Sequence, residues 1–392
     1  MKILVKIIIL VHLMMQSLTA CKLWAICAKS SNSFTTFSES ELGTINDQLT
    51  SFYYQSETML DGWALLGYSE ISSDTVEPLC RSNIPATEDS TLYWNTVSSL
   101  LDIELGNIGI GHLRMATSGT SAIPNPHPWM FYHDDKSFSL VHNGTVNKDL
   151  LYNLITENGS DMSWLESNPP QSFGGGYWRN DGWGNVVDSE LILLLIMQKI
   201  NVSGDILSGM QLAIINLLNE GVSANQLNII FSDGSTIFIF GGTNGLYLSE
   251  SLEHYSIMTY PENSGQNNWV GLQNEEMITV NHDGIIHYPD FVSTGSGNDM
   301  SLAPESFSMH PAYPNPFNSR VNFVLEGNTS EQIEISIFAI NGNKIENFLI
   351  PNLVNKKENI TWSPSINVAS GTYIVRASIK NEIETGKILF IK

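Results

Sequence analysis

A short run of small and polar residues near position 295 divides this 392-residue chain into two parts with different patterns. Its letters are VSTGSGND at 292–299, a composition typical of a linker between domains. Because such a segment offers no apolar surface to a core, we expect each part to bury its apolar residues in a core of its own. The sequence therefore predicts two domains, 21–291 and 304–392, with a linker at 292–303.

The first part mixes helix-like and strand-like patterns. Apolar residues recur at helical spacing over 44–55 and 91–104, whereas short apolar runs at 62–68, 107–117 and 138–146 are typical of buried strands. Several of these runs contain glycine, which lets neighbouring backbones approach closely. We expect the strand-like runs to be core strands of one system of sheets.

The middle of the chain predicts two helices and then more strands. One helix begins at Asp188, which we expect to be its cap, and the other covers 205–220. A hairpin is indicated at 227–240, with its turn at Asp233-Gly234. Further strands are predicted at 245–249, 256–259 and 277–280. Strands, then helices, then strands is the order of an α+β fold.

The second part alternates apolar and polar residues in short runs. Examples are IEISI at 333–337 and TYIVRA at 372–377, and turn residues stand at 341–342 and 370–371. About ninety residues of this kind predict a small all-β sandwich.

The charge of the chain excludes one large class of partners. Forty acidic and eighteen basic residues give a formal net charge of −22. This charge repels phosphate backbones and anionic membrane surfaces, so nucleic acid is not an expected partner. Hydrophobic residues make up 42% of the chain, which is enough for packed cores.

The first twenty residues have the pattern of a secretory signal peptide. Lys2 and Lys6 precede an apolar run at 7–15, and the segment ends in Leu18-Thr19-Ala20. The apolar run is too short to span a bilayer, so we expect an exported protein that is not transmembrane. Cleavage after Ala20 would make Cys21 the first residue. Cys27 and Cys80 would then either form a disulfide or remain two free thiols.

An N-terminal cysteine can supply both a nucleophile and a base from one residue. Its α-amine has an ordinary pKa of about 7.7–8.0 and can accept a proton near neutral pH. The preceding peptide must first be removed. Signal cleavage would do this, so export and activation would be one event.

Five segments around this cysteine resemble the class II glutamine amidotransferases, which are N-terminal-nucleophile (Ntn) hydrolases. In order they are CKLWAI at 21–26, DGW at 61–63, GHLRMATSG at 111–119, HNG at 142–144 and DSE at 188–190. The HPW segment at 127–129 is most similar to the stand-alone, YafJ-like branch. The resemblance covers 21 to about 290 and implies a four-layer αββα Ntn fold. The histidines of the chain lack the spacing of metal ligands, so no metal and no cofactor are expected.

The resemblance also implies roles for individual residues in hydrolysing a glutamine side-chain amide. Cys21 would be the nucleophile and form a thioester. The side-chain amide of Asn143 and the backbone N–H of Gly144 would bind the oxyanion.

Four further residues would bind the substrate. Arg114 would bind the α-carboxylate and Asp188 the α-ammonium, while Thr117 and His127 would complete the substrate pocket. The implied substrate is glutamine or another γ-glutamyl-type amide, a small molecule.

Each segment alone has a structural explanation. Arg114 could form a structural ion pair, Asp188 could cap a helix, and Asn143-Gly144 could be an ordinary turn. The order of all five segments favours the catalytic interpretation. In addition, Leu18 to Cys21 fits a bacterial lipobox, and a lipidated Cys21 could not act as a nucleophile. The alternative function is therefore a secreted or lipid-anchored surface binding protein with a non-catalytic amidotransferase fold.

The second part resembles a type A sorting domain of the type IX secretion system. The segments that carry this resemblance are YPNPFN at 313–318, ING at 340–342, SGTY at 370–373 and the closing KILFIK at 387–392. It covers 304–392 and implies transit through the periplasm to the cell surface or medium, with the type IX machinery as a partner.

Overall fold

A computed structural model describes the chain from Ala20 onward, with gaps. The described residues are 20–30, 32–71, 75–120, 125–133, 135–241, 245–262, 269–289, 291–292, 307–309, 312, 315–329, 332–340, 343–350, 353–365, 368–379 and 382–392. The predicted signal peptide up to residue 19, the predicted linker beyond 292 and the predicted turn at 341–342 lie outside them. The chain divides into two compact units between residues 295 and 296.

The first unit is a mixed α/β structure. Its described helices are α1 (Glu39–Gln55), α2 (Ser90–Leu101), α3 (Lys148–Ile155), α4 (Ser163–Ser167), α5 (Asp188–Ser203) and α6 (Ile206–Asn219). Its described strands are β1 (Lys22–Ala28), β2 (Trp63–Ser69), β3 (Cys80–Ser82), β4 (Gly106–Leu113), β5 (Trp129–His133), β6 (Lys136–Asn143), β7 (Asn228–Ser232), β8 (Thr236–Phe240), β9 (Leu246–Glu250), β10 (His254–Thr259), β11 (Val270–Gly271), β12 (Met277–Asn281) and β13 (Gly284–Tyr288).

These strands form two antiparallel sheets. The first has the order β11-β9-β10-β1-β4-β2-β3, and the second has the order β13-β12-β8-β7-β6-β5. The predicted strands at 62–68, 107–117 and 138–146 are confirmed as β2, β4 and β6. The predicted hairpin is confirmed as β7 and β8, which pair through Ile229–Ser232 and Ile237–Phe240.

Strand β1 is buried on both faces, which explains its apolar composition. Side chains alternate along a strand, and Leu23 and Ala25 join a core cluster shared with the second sheet. Trp24 and Ile26 join a different cluster, on the opposite face, that contains residues of α1 and α2. A third cluster combines the outer face of the second sheet with α3, α5 and α6. Apolar packing therefore holds the strand that carries Cys21 at its amino end.

The two predicted helices of the middle region are present, but one cap is different. Asp205 caps α6, and its carboxylate accepts from the N–H of Ser208 at 2.7 Å. The prediction that Asp188 caps α5 is wrong. Val187 occupies the cap position, and Asp188 is the first helical residue. Its carboxylate instead accepts hydrogen bonds from Ser118 and Val146, which lie outside the helix.

The second unit contains only strands among its described elements. They are β14 (Phe307–Met309), β15 (Val321–Thr329), β16 (Ile333–Ala339), β17 (Lys344–Ile350), β18 (Leu353–Trp362), β19 (Gly371–Ile379) and β20 (Glu382–Phe390). They form one sheet of order β14-β15-β18 and another of order β17-β16-β19-β20. Buried residues of both sheets, among them Phe323, Ile335, Trp362 and Val375, share one hydrophobic cluster. The alternation of apolar and polar residues therefore corresponds to strands of two sheets that share one core, as the sequence predicts.

Candidate active site

Cys21 stands directly before β1, beside the end of β4. The last register pair of these strands joins Lys22 to Leu113. The next residues, Cys21 and Arg114, are therefore neighbours where these two strands end. The Cys21 thiol lies against the backbone of Met115, whose N–H donates to Sγ at 3.4 Å and whose carbonyl lies 3.5 Å from it. Main-chain pairing and these two contacts fix the position of the thiol.

Ser118 connects the side chains of Arg114 and Asp188, which are 74 residues apart in the sequence. Its carbonyl accepts from Arg114 Nη2 at 2.8 Å, and its hydroxyl donates to Asp188 Oδ1 at 2.7 Å. The other carboxylate oxygen of Asp188 accepts from the N–H of Val146 at 2.9 Å. A buried cation and a buried carboxylate are thereby held at fixed positions through one serine.

The guanidinium of Arg114 retains an unused donor group. Arg114 is 2% exposed, and its Nη1 has no hydrogen-bond partner among the described residues. Burial lowers the pKa of Arg114, while Asp61, Cys21 and Asp188 act in the opposite direction. A guanidinium stays charged in proteins, so this site carries a positive charge with a free N–H group.

Asp61 and Gly62 support the loop that follows β4. The Asp61 carboxylate accepts from the N–H of Ala116 at 2.7 Å, and the carbonyl of Gly62 accepts from the N–H of Arg114 at 2.8 Å. Gly62 has a φ of +109°, and a Cβ there would lie 2.0 Å from the carbonyl oxygen of Ser82. Only glycine allows this approach, which explains the DGW segment in structural terms.

Asn143 is the last residue of β6, and Gly144 follows it where the backbone passes close to Gln226. A Cβ on Gly144 would lie 2.0 Å from the carbonyl oxygen of Gln226, so no larger residue fits. Asn143 is 0% exposed, and within the described part of the chain neither Nδ2 nor Oδ1 has a partner. An unpaired buried amide costs about 1–3 kcal/mol, so an acceptor that reached it would be bound favourably.

Three buried histidines lie close to these residues. His142 contacts the Ser189 hydroxyl at 3.0 Å and the Gln226 carbonyl at 2.7 Å. His112 and His127 contact each other, with ring centroids 4.1 Å apart. Burial lowers the pKa of all three, and lowers those of His112 and His127 well below the usual value. These rings are therefore neutral at neutral pH.

A small cleft brings most of the predicted site residues together. It has a volume of about 20 Å³, room for about one water molecule. Its lining residues are Cys21, Arg114, Met115, Ala116, Thr117, Ser118, His127, His142, Gly144, Val187, Asp188 and Ser189. Six of the seven predicted residues are in this set. Asn143 precedes Gly144 but is not a lining residue itself.

Sequence reasoning missed the connecting role of Ser118. The residue stands inside the segment 111–119, but a lone hydroxyl in a motif does not reveal its partner. The short spacing to Arg114 is the only signal that could have suggested a local contact.

The three cysteines have free thiols with raised pKa values. Burial raises the pKa of Cys21, and the Met115 contact and the Arg114 charge offset this only in part. Burial raises the pKa of Cys27 to about 12 and also raises that of Cys80. Cys27 and Cys80 therefore form no disulfide in this structure. The thiol at the cleft needs a base to become a nucleophile.

A larger cavity, about 910 Å³, lies elsewhere in the first unit between β9 and β12. Its charged groups are already paired: Lys29 with Glu250, Glu276 with His287, and Glu41 with His254, each at 2.7 Å. No cysteine lines it. Volume alone favours this cavity, but the smaller cleft holds the nucleophilic thiol of Cys21 and the unpaired donor of Arg114, so we place the candidate site there.

Known proteins resemble parts of this chain. Residues 311–392 match the family of secretion system C-terminal sorting domains. The protein therefore carries a signal for secretion to the cell surface or beyond, and the sorting domain implies the type IX machinery as a partner. Within the described part of the chain, no helix has both the length and the apolar character needed to cross a membrane.

Other similarities are weaker. An uncharacterized protein of Methanocaldococcus jannaschii is 29% identical over 98 residues, a quarter of each chain. A glutamine aminotransferase class-II domain protein from Silicibacter pomeroyi is 17% identical, covering 68% of this chain and 97% of that one at a TM-score of 0.38. A predicted glutamine amidotransferase from Pseudomonas aeruginosa is 13% identical, covering 68% and 95% at a TM-score of 0.31.

Proposed function

We propose that this protein is a secreted N-terminal-cysteine amidohydrolase of the glutaminase or amidotransferase type. The observation that carries the proposal is the single cleft in which the Cys21 thiol adjoins Arg114 and Asp188. A nucleophile beside one fixed cation and one fixed carboxylate suits a substrate with an amino-acid end and a reactive amide. We also propose that the helices and paired sheets of the first unit form the four-layer αββα Ntn arrangement.

The proposed mechanism begins with removal of residues 1–20, which exposes the α-amine of Cys21. Burial keeps the thiol protonated, so the amine takes the thiol proton as sulfur attacks the amide carbon. The C–N bond then breaks, the proton passes to the leaving nitrogen, and ammonia departs. Water hydrolyses the resulting thioester with the same amine as base and regenerates the thiol.

Two oppositely charged groups would hold the amino-acid end of the substrate. The free Nη1 of Arg114 would donate to the α-carboxylate, and Asp188 would accept from the α-ammonium. Ser118 fixes both partners, so little side-chain ordering is required when the substrate binds. Thr117 and His127 line the same cleft and would contact the rest of the substrate.

The negative oxygen of the tetrahedral intermediate would be bound next to Gly144. The tight approach to Gln226 holds the Gly144 backbone in place, and Asn143 has an amide without a partner among the described residues. A donor that is rigid before the reaction needs no reorganisation when the charge develops. Asn143 has to become accessible from the cleft for its side chain to take part, and the small cleft volume implies that substrate binding widens this region.

We further propose that the chain is organised as a signal peptide (1–20), a catalytic domain (21–291), a linker (292–303) and a sorting domain (304–392). Deletion of 304–392 should leave the catalytic domain folded but retained in the periplasm. Efficient appearance of the truncated protein in the medium would contradict the sorting role.

Replacement of the nucleophile tests the proposed activity. Cys21→Ala and Cys21→Ser should both abolish release of ammonia from glutamine or a γ-glutamyl amide while circular dichroism stays unchanged. Cys27→Ala is the matched control, because that thiol is buried between the sheets with its pKa raised to about 12. Full activity of the Cys21 variants would show that the nucleophile lies elsewhere, and an unmodified protein that releases no ammonia would favour the non-catalytic binding protein.

A further inference from the structure

The proposed mechanism assigns no specific contact to the Nε2 of His127, a buried nitrogen of a cleft residue. His127 is 3% exposed and lines the cleft together with Cys21. Its Nε2 has no hydrogen-bond partner among the residues that the structure describes. Buried polar atoms in folded proteins are almost always paired, so this nitrogen is a candidate contact for a ligand.

The pairing of His127 with His112 is compatible with two tautomers. Burial keeps both rings neutral, so each ring has one N–H donor and one bare acceptor. The Nδ1 of His127 lies 3.2 and 3.1 Å from the two ring nitrogens of His112, so it can either donate to one or accept from one. When Nδ1 donates, the Nε2 of His127 is a bare acceptor.

A bare acceptor selects ligands that carry a hydrogen-bond donor. The oxyanion site near Gly144 must be built of donors, and Arg114 is itself a donor, so neither can bind an N–H group of the substrate. We propose that His127 Nε2 accepts a hydrogen bond from the N–H of the scissile amide and thereby makes the site selective for amides over the corresponding esters. This inference rests on the proposed function.

The contact has a simple place in the reaction. While Nε2 accepts one amide hydrogen, the nitrogen lone pair that develops in the tetrahedral intermediate remains available to the protonated α-amine of Cys21. That amine donates the proton as the C–N bond breaks, and ammonia leaves. His127 neither gains nor loses a proton in this step, so it is a specificity-determining residue and not a base.

An ester presents no hydrogen at this position and would leave Nε2 unpaired in a buried site. The free-energy cost of this unpaired nitrogen corresponds to a roughly 10- to 100-fold preference for the amide, beyond the intrinsic reactivities of the two substrates. His112 acts through His127 as a positioning residue, because its ring pairs with the Nδ1 of His127.

The test compares γ-glutamyl amide and γ-glutamyl methyl ester hydrolysis in the full chain. His127→Phe should lower kcat/KM for the amide roughly 10- to 100-fold and change that for the ester by less than about 3-fold. His133→Phe is the matched control, since His133 is exposed at the end of β5 and does not line the cleft. An equal fall in kcat/KM for both substrates would overturn the inference. Ester cleavage that persists but still requires Cys21 would leave the proposed function intact.

A spectroscopic measurement covers the case in which His127→Phe fails to fold. In the Cys21→Ala protein with ¹⁵N-labelled histidine, the His127 ring should have its proton on Nδ1. Addition of glutamine should shift the Nε2 resonance in the direction of an accepted hydrogen bond. A proton found on Nε2, or an Nε2 resonance unchanged at saturating glutamine, would overturn the inference.

Discussion

Replacement of Arg114 by alanine tests the recognition of the substrate's amino-acid end. The structure gives this side chain two donor groups with different uses: Nη2 donates to Ser118, and Nη1 is unpaired. A hydrogen bond to a charged partner contributes about 1.5–3 kcal/mol. At 1.4 kcal/mol per tenfold change, Arg114→Ala should lower kcat/KM for glutamine roughly 10- to 100-fold.

A substrate without the α-carboxylate separates recognition from folding. With 4-aminobutanamide the same replacement should cost less than about 3-fold, because Nη1 then has no carboxylate to bind. Arg114→Lys should be intermediate, since lysine keeps the charge but lacks the planar fork. Equal losses with both substrates would refute the assignment.

The control for structural damage is Arg81→Ala. Arg81 also donates to a backbone carbonyl, that of Pro128 at 2.8 Å, but it does not line the cleft. Urea unfolding of both variants reports stability. If Arg114→Ala unfolds the protein while Arg81→Ala does not, Arg114 is a structural residue and the substrate assignment fails.

Two other predictions concern stability. Gly144→Ala should lower the free energy of unfolding in urea by about 3 kcal/mol or more, because its Cβ would clash with Gln226. Gly43→Ala is the control: a Cβ there has open space on α1, so this change should raise the free energy of unfolding by about 0.5–1 kcal/mol. Equal effects of the two changes would show that the backbone approach at Gly144 is not tight. Burial raises the pKa of Glu190 to about 8, so the folded state holds a proton that the unfolded state releases above about pH 4.5, and stability falls as pH rises between these values. The free energy of unfolding should fall by about 3–4 kcal/mol between pH 5 and 8 because of this group, and Glu190→Gln should remove that fall. The same pH dependence of stability in the variant and the original protein would contradict the raised pKa of Glu190.

Most strands could be predicted from the sequence because turn residues and apolar runs mark them locally. Other elements could not, among them β5 and α3. The strand β5 begins at Trp129, the last residue of the HPW segment, whose residues suggested a functional role rather than a strand. The helix α3 is only eight residues long, although its cap was visible: Asn147 accepts from the N–H groups of Asp149 and Leu150.

The site could be predicted only as a set of residue types. The resemblance selected Cys21, Arg114 and Asp188, but their proximity depends on strand pairing and on a helix that begins far along the chain. The role of Asp188 shows the limit: an aspartate at a helix start usually caps it, and here tertiary contacts with Ser118 and Val146 take its carboxylate instead. Their roles in catalysis remain predictions.

The state of Cys21 in the secreted protein tests the central claim most directly. Intact-mass and N-terminal analysis of that protein should show a chain that begins at an unmodified Cys21. Alkylation near neutral pH should modify Cys21, whose α-amine can take the thiol proton, but not Cys27, which is buried and has its pKa raised to about 12. A lipid adduct on Cys21, or a mature chain that begins at another residue, would contradict the account.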